Sequence, residues 1–360
     1  MISNYPNLIF IFLVAIVLSF LFTKLIIFLA SRWRLFDLPD LNIKIHKKPI
    51  PLLGGLAIYL SFLLLVLFMW QRGFLLDARI NPSLIFWFLF AGAILLFSGF
   101  LDDKYKLRPQ WSFLGPLAAT LIVMLAGLKI AYITHPDGGV LYLDRIFSDN
   151  GFWGTLIPLA LTFFWLLGMT YTTKLLDGLD GLVSSIGFIA ALIIFFVSLS
   201  WDVVGSTTSL LSLTLAGAIF GFLLLNWHPA KIFLGEGGST FIGFSLGVLA
   251  IVSGSKIATA LLVMGLPVLD IAWVIFRRLK KGHSIWQGDN EHLHFRLLRS
   301  GFGQRQTVLF MSLISLCFGI IALLFSTKAK ISALLILLFL MFLLSTWLNW
   351  KLEKPHEKRP

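Results

Sequence analysis

Eleven apolar stretches of roughly 17–25 residues dominate the chain, at about 7–30, 52–70, 83–101, 111–128, 152–173, 182–201, 208–226, 239–254, 257–276, 307–326 and 331–350. Such a length crosses about 30 Å of hydrocarbon as a helix, and the eighth, short and rich in small residues, suits a helix packed tightly among others. The chain therefore reads as an all-α polytopic membrane protein of about eleven spans, with one transmembrane domain over 1–350 and a basic tail at 351–360. Composition agrees: 58% of the residues are hydrophobic and 13% charged, which excludes a water-soluble globular domain. Twelve Trp and 35 Phe suit the bilayer interface and lipid tails. The first stretch has no basic leader region or small-residue cleavage site, so it reads as a retained span. Gly265 and Pro267 predict a kink in the ninth. Cys317 is the single cysteine, so one chain can build neither a disulfide framework nor a thiolate metal cluster.

Lys and Arg set the orientation. With the N-terminus outside, the inward segments carry 21 basic residues and the outward ones 7, which predicts an inner-membrane protein with a cytoplasmic working face. The outer segment 129–151 holds a Pro136–Gly139 turn between β-prone runs and predicts a small hairpin near 131–147. The net charge of +12 is assigned to anionic lipid and a phosphorylated substrate, with no nucleic acid as partner.

Most of the unusual polar clusters fall on the inner side. Asp102 and Asp103 end the third span; adjacent carboxylates on a helix point about 100° apart, which suits a division of labour between them. Asp177 and Asp180 share a helical face, each followed by a glycine. Gly235-Glu236-Gly237-Gly238-Ser239 precedes a helix, where backbone N–H groups can face a phosphate. His292, His294 and Arg296 read as donors to phosphate oxygens. Asp270 lies at some membrane depth, with Arg277 seven residues on as an ion-pair partner. Clustered acids, lysines and Gly-rich turns at one membrane face describe a site for a divalent cation and a polyphosphate beside lipid, and hard oxygen ligands favour Mg²⁺ or Mn²⁺.

Over about residues 30–300 these motifs resemble the polyprenyl-phosphate N-acetylhexosamine-1-phosphate transferases, a glycosyltransferase family 4 group. The likeness runs through His46, Pro49-x-Pro51-x-x-Gly54-Gly55, Asp102-Asp103, Asp177-Gly-x-Asp180-Gly-Leu182, Asn226-x-x-Pro229-Ala230-x-x-Phe233-x-Gly235, Pro267-x-x-Asp270 and His292-Leu-His294-x-Arg296. The last motif is similar to that of the GlcNAc-1-phosphate branch. The resemblance implies that a polyprenyl (undecaprenyl) phosphate attacks the β-phosphorus of a UDP-amino sugar, releasing UMP in cell-envelope polysaccharide synthesis. It also implies roles. Asp103 is base or lipid-phosphate organiser, with Asp102 beside it and Asp177 as the third catalytic acid. Asp177 and Glu236 are metal ligands, and Phe233 stacks on uracil. Asn226 and Asp180 line the nucleotide pocket, while His292, His294, Arg296, Lys47, Lys48 and Lys106 hold phosphate or sugar. The chain departs from the resembled pattern at Lys174 and Tyr171, where Asn is usual, and at Glu236, where Asp is usual.

Three rivals remain in view. The same chemistry on UDP-MurNAc-pentapeptide differs in its donor. A secondary transporter requires midplane polar residues and repeats, which are not evident here. A catalytically silent lipid-phosphate binder is motivated by Lys174 and Glu236. The Leu-rich last span is a candidate homodimer contact.

Overall fold

The computed structural model of the chain describes all residues except 1–6, 34, 38–47, 76–79, 138, 147–151, 202–205, 255, 281, 283–290 and 354–360. His46, Lys47, Asp289, Asn290 and most of the basic tail lie outside the described residues.

Fifteen helices carry the described chain. The first half contains α1 (Leu8–Arg32), α2 (Gly54–Gln71), α3 (Pro82–Tyr105), α4 (Pro109–Ser112), α5 (Leu114–Leu125), α6 (Leu143–Ile146) and α7 (Phe152–Leu176). The second half contains α8 (Leu182–Trp201), α9 (Thr207–Asn226), α10 (Gly235–Val252), α11 (Ile257–Val263), α12 (Gly265–Lys280), α13 (Leu293–Arg299), α14 (Gln304–Leu324) and α15 (Thr327–Glu353). Local chemistry fixes the ends of several. Asn7 Oδ1 accepts from the Ile9 and Phe10 N–H groups (3.0 and 3.2 Å), and Asn81 caps α3 just ahead of Pro82.

The class is the expected one, an all-α polytopic membrane protein, and every expected apolar stretch is helical. Nine of the described helices are long and apolar enough to cross a membrane, ten if α11 and α12 count as one bent span. Two stretches differ from expectation for identifiable reasons. The fourth is split into α4 and α5 because Pro116 has no N–H to give the Ser112 carbonyl four residues back. The ninth is more than kinked: α11 and α12 meet at 78°, with Pro267 in the first turn of the restarted helix. The hairpin expected near 131–147 is present as β3 (Tyr132–Thr134) antiparallel to β4 (Val140–Tyr142), and its last residues form α6 rather than strand. A second short pair, β1 (Phe36–Asp37) with β2 (Ile50–Pro51), was not foreseen.

The interior is built on α9 and α10, whose spans are each 83% buried, against 28% for α1, α7 and α15. Lipid tails are as apolar as leucine, so close packing and internal hydrogen bonds hold such helices together. The N-terminal turn of α10 shows what that requires. A Cβ on Gly55 would lie 2.1 Å from Gly238 Cα, and one on Gly99 would lie 2.1 Å from the Gly237 nitrogen. Backbones of α2, α3 and α10 therefore touch here. Edge-on rings continue the contact deeper, Tyr59 and Phe62 against Phe241 at 5.3 and 6.1 Å. This junction brings the end of α3 to the start of α10.

Candidate active site

The two adjacent acids fan apart as helix geometry demands. Asp103 turns to the N-terminus of α10, where its Oδ2 accepts from the Glu236 N–H (3.1 Å), a location that favours a carboxylate. The backbone donor that the sequence offered to a phosphate is thus given to Asp103. Gly235 makes the approach feasible, with φ of +77° and no side chain between it and the carboxylate. Asp102 turns the other way. Its Oδ1 accepts from the Leu107 N–H (3.2 Å), and its Oδ2 accepts from the Ser112 hydroxyl and from Lys174 Nζ (3.1 Å). Lys174, in the last turn of α7, also lies 3.1 Å from Glu236 Oε2 and 2.6 Å from Ser112 Oγ. Three helices meet at one ammonium. Lys106 ends α3 in the left-handed region (φ 49°) and is exposed, three residues from Asp103.

The 177–181 turn supplies two more acids. Asp177 is exposed at its own surface, yet the protein around it, and then the charges of Glu236, Asp103 and Asp180, push its carboxyl well above the ordinary range. Asp180 is committed to the 226–234 loop: its Oδ2 lies 2.7 Å from His228 Nδ1 and accepts from the Ala230 N–H (3.1 Å). Asn226 is buried and likewise spent inside the protein. Its Oδ1 accepts from the Gly181 N–H (3.1 Å) and Ser184 Oγ (2.9 Å), and its Nδ2 donates to the Ile232 carbonyl (2.9 Å). Asp180 and Asn226 together shape this loop. Phe233 at its end is half-buried, its backbone paired with Pro51 O and the Gly54 N–H (2.8 and 2.9 Å). Lys48 is exposed ahead of β2.

The His cluster is buried. His294 is fully buried, stacked on His292 at 5.7 Å, and neither ring nitrogen has a hydrogen-bond partner among the described residues. Burial, and then His292, push it down to about 3, so it is a neutral ring packed on Gly178 beside Asp177. Arg296 is buried and turns to the last helix. It donates to Ser345 Oγ (3.0 Å), Ser345 O (2.8 Å) and Asn349 Oδ1 (2.7 Å), tying α13 to α15. His292 Nδ1 lies 3.0 Å from Asp270 Oδ2, and the Leu293 N–H donates to Asp270 Oδ1 (2.8 Å). Asp270 therefore pairs with His292, whereas Arg277 pairs with Glu291 (2.7 Å). Ser112 and His228 were missed as members of this network. Sequence offered only their polarity as a signal.

A cavity of about 300 Å³ opens beside Asp103. Its walls are apolar, from Leu53, Leu56, Tyr59, Leu96, Phe97 and Phe100, and Asp103 is its charged member. An apolar slot ending at a carboxylate cluster is the shape expected for a lipid with a polar head.

Residues 85–254, from α3 through α10, match the model of glycosyl transferase family 4. Over 341 residues the chain is 30% identical to the "Probable undecaprenyl-phosphate N-acetylglucosaminyl 1-phosphate transferase" of Bacillus subtilis (strain 168), covering 92% of this chain and 88% of that one. The chain belongs to glycosyl transferase family 4. Other similar members of this family are a decaprenyl-phosphate N-acetylglucosaminephosphotransferase of Mycobacterium leprae (32% identical over 86% of this chain and 81% of that one) and the undecaprenyl-phosphate alpha-N-acetylglucosaminyl 1-phosphate transferase of Escherichia coli K12 (26% over 82% and 78%). The family match spans Asp102, Asp103, Lys174, Asp177 and Glu236, so the acid and lysine cluster lies in the part of the chain that defines family 4 membership.

The divalent cation implied by the sequence resemblance was assigned to Asp177 and Glu236. No three of His, Cys, Asp and Glu among the described residues converge to hold one ion. Asp102 and Glu236 already share the Lys174 ammonium. With that ammonium in place, Glu236 Oε2 does not fit a divalent ion as well, and Asp177, the other assigned ligand, is exposed.

Proposed function

We propose that the chain transfers N-acetylglucosamine 1-phosphate from UDP-GlcNAc to a polyprenyl phosphate at the cytoplasmic face of the inner membrane. An oxygen of the lipid phosphate attacks the β-phosphorus of the donor. The bond from that phosphorus to the bridging oxygen breaks, and UMP departs with the electron pair, leaving a polyprenyl diphospho-sugar.

The observation that carries this reading is the apolar cavity ending at Asp103, in a chain 30% identical to a named undecaprenyl-phosphate transferase over most of its length. The cavity suits the first isoprene units, with the phosphate head at its charged end. Asp103 then orients the attacking phosphate or takes its proton, and Lys106 adds positive charge. Phe233, half-buried beside the loop that Asp180 and Asn226 shape, offers a ring face to the uracil. Asp177, exposed and with its carboxyl raised, faces the diphosphate. The basic excess on the inward segments supports the orientation, and the apolar face of α15 remains the candidate contact for a second copy.

The test is nucleotide release by detergent-purified protein given UDP-GlcNAc, with and without undecaprenyl phosphate. Lipid-dependent UMP is the expected product. UDP in its place would mean transfer of the sugar alone, and no nucleotide from folded protein would favour a silent lipid-phosphate binder.

A further inference from the structure

Lys174 is half-buried between two acids and a hydroxyl that come from three directions. Its ammonium has three N–H bonds and three oxygen neighbours: Asp102 Oδ2 at 3.1 Å, Ser112 Oγ at 2.6 Å and Glu236 Oε2 at 3.1 Å. Those oxygens come from the last turn of α3, from α4 and from the first turn of α10. A cation surrounded by hard oxygens from separate elements is the arrangement a bound metal would otherwise create. Here a covalently tethered charge occupies it. Asp102 is held in place by the Leu107 N–H, and Glu236 by the helix whose N-terminus also holds Asp103, so neither acid needs to move to meet the lysine.

We propose that Lys174 is the resident cation of this site, and that a divalent ion reaches Asp102 and Glu236 only by displacing its ammonium. Magnesium binds carboxylate oxygen at about 2.1 Å. An ion so placed on Glu236 Oε2 would share that oxygen with an ammonium 3.1 Å away, two cations on one carboxylate. Removing the lysine charge leaves two acids facing each other without compensation, a pair that a divalent ion would relieve. The proposal takes from the transfer reading the diphosphate that makes a cation useful here, but its test reads metal binding and not transfer.

The experiment is a Mn²⁺ titration of the full chain in detergent, without substrate, followed by the electron paramagnetic resonance signal of free Mn²⁺. Lys174→Asn should bind Mn²⁺ roughly tenfold or more tighter than wild type, and adding Glu236→Gln to it should abolish the gain. Equal affinity in wild type and Lys174→Asn overturns the proposal. Should Lys174→Asn not fold, wild type decides: stoichiometric Mn²⁺ binding that Glu236→Gln removes overturns the idea, and no saturable site upholds it. UMP release without the affinity gain would sink this proposal and leave the transfer reading standing. The gain in a protein that turns over no donor would do the reverse.

Discussion

Substituting Gly235 by alanine separates the site's geometry from the stability of the fold. Gly235 opens α10 at φ +77°, where an L residue costs about 1–2 kcal/mol. Its new Cβ would sit 2.7 Å from Asp103 Oδ2, and ordinary contact begins at 3.4 Å. Asp103 must therefore retreat by about 0.7 Å, which stretches its bond from the Glu236 N–H and takes the carboxylate away from the cavity mouth. Misplacement of a reacting group by about 1 Å costs on the order of 100-fold in rate. Gly127→Ala is the control: its φ is +97° but nothing lies within 4 Å of the added Cβ. Both variants should lose about 1–2 kcal/mol in unfolding experiments in detergent, while UMP release at saturating substrate should fall by roughly ten- to hundredfold in Gly235→Ala alone. Turnover of Gly235→Ala equal to that of Gly127→Ala would refute the reasoning.

Other expectations follow from the same contacts. Asp103→Asn should abolish transfer while the protein elutes as wild type, and unchanged turnover would remove Asp103 from its assigned role. Phe233→Ala should raise the Michaelis constant for the UDP-sugar by roughly tenfold, from loss of a base stack worth about 1–3 kcal/mol; an unchanged constant would put the uracil elsewhere. Arg296→Ala removes three hydrogen bonds that tie α13 to α15 and should cost at least about 1.5–3 kcal/mol of stability, read by thermal unfolding; a neutral result would deny the clamp. His294, held near 3 by burial and His292, stays neutral in the folded chain while the unfolded ring takes up a proton near pH 6.5. Its contribution is complete above about pH 6.5 and is lost as pH falls toward 3, by up to about 1.4 kcal/mol per unit. His294→Gln should flatten that slope, and an identical slope would contradict the burial argument.

The membrane fold was legible because lipid leaves a long apolar segment few options, and the acids that end α3 declared their divergence through helix geometry alone. Proline chemistry foretold a weakness at Pro267 but not the 78° turn, which depends on what the restarted helix packs against. Partner choice was the illegible part. Asp180 finds His228 at a separation of 48 residues, Arg296 finds Asn349 at 53, and Lys174 finds Asp102 at 72, and no local pattern encodes such meetings. Asp270 and Arg277 looked like partners because they share a helix face. Asp270 instead pairs with His292, which stands just ahead of α13. Lys174 and Glu236 each stood out in the sequence as departures, and the structure adds that they touch.

The central claim is that phosphorus travels with the sugar onto lipid. Detergent-purified protein given undecaprenyl phosphate and UDP-GlcNAc radiolabelled at the β-phosphorus should move the label into the organic phase as unlabelled UMP accumulates. Label that stays in the aqueous nucleotide while the sugar alone reaches the lipid would contradict the account.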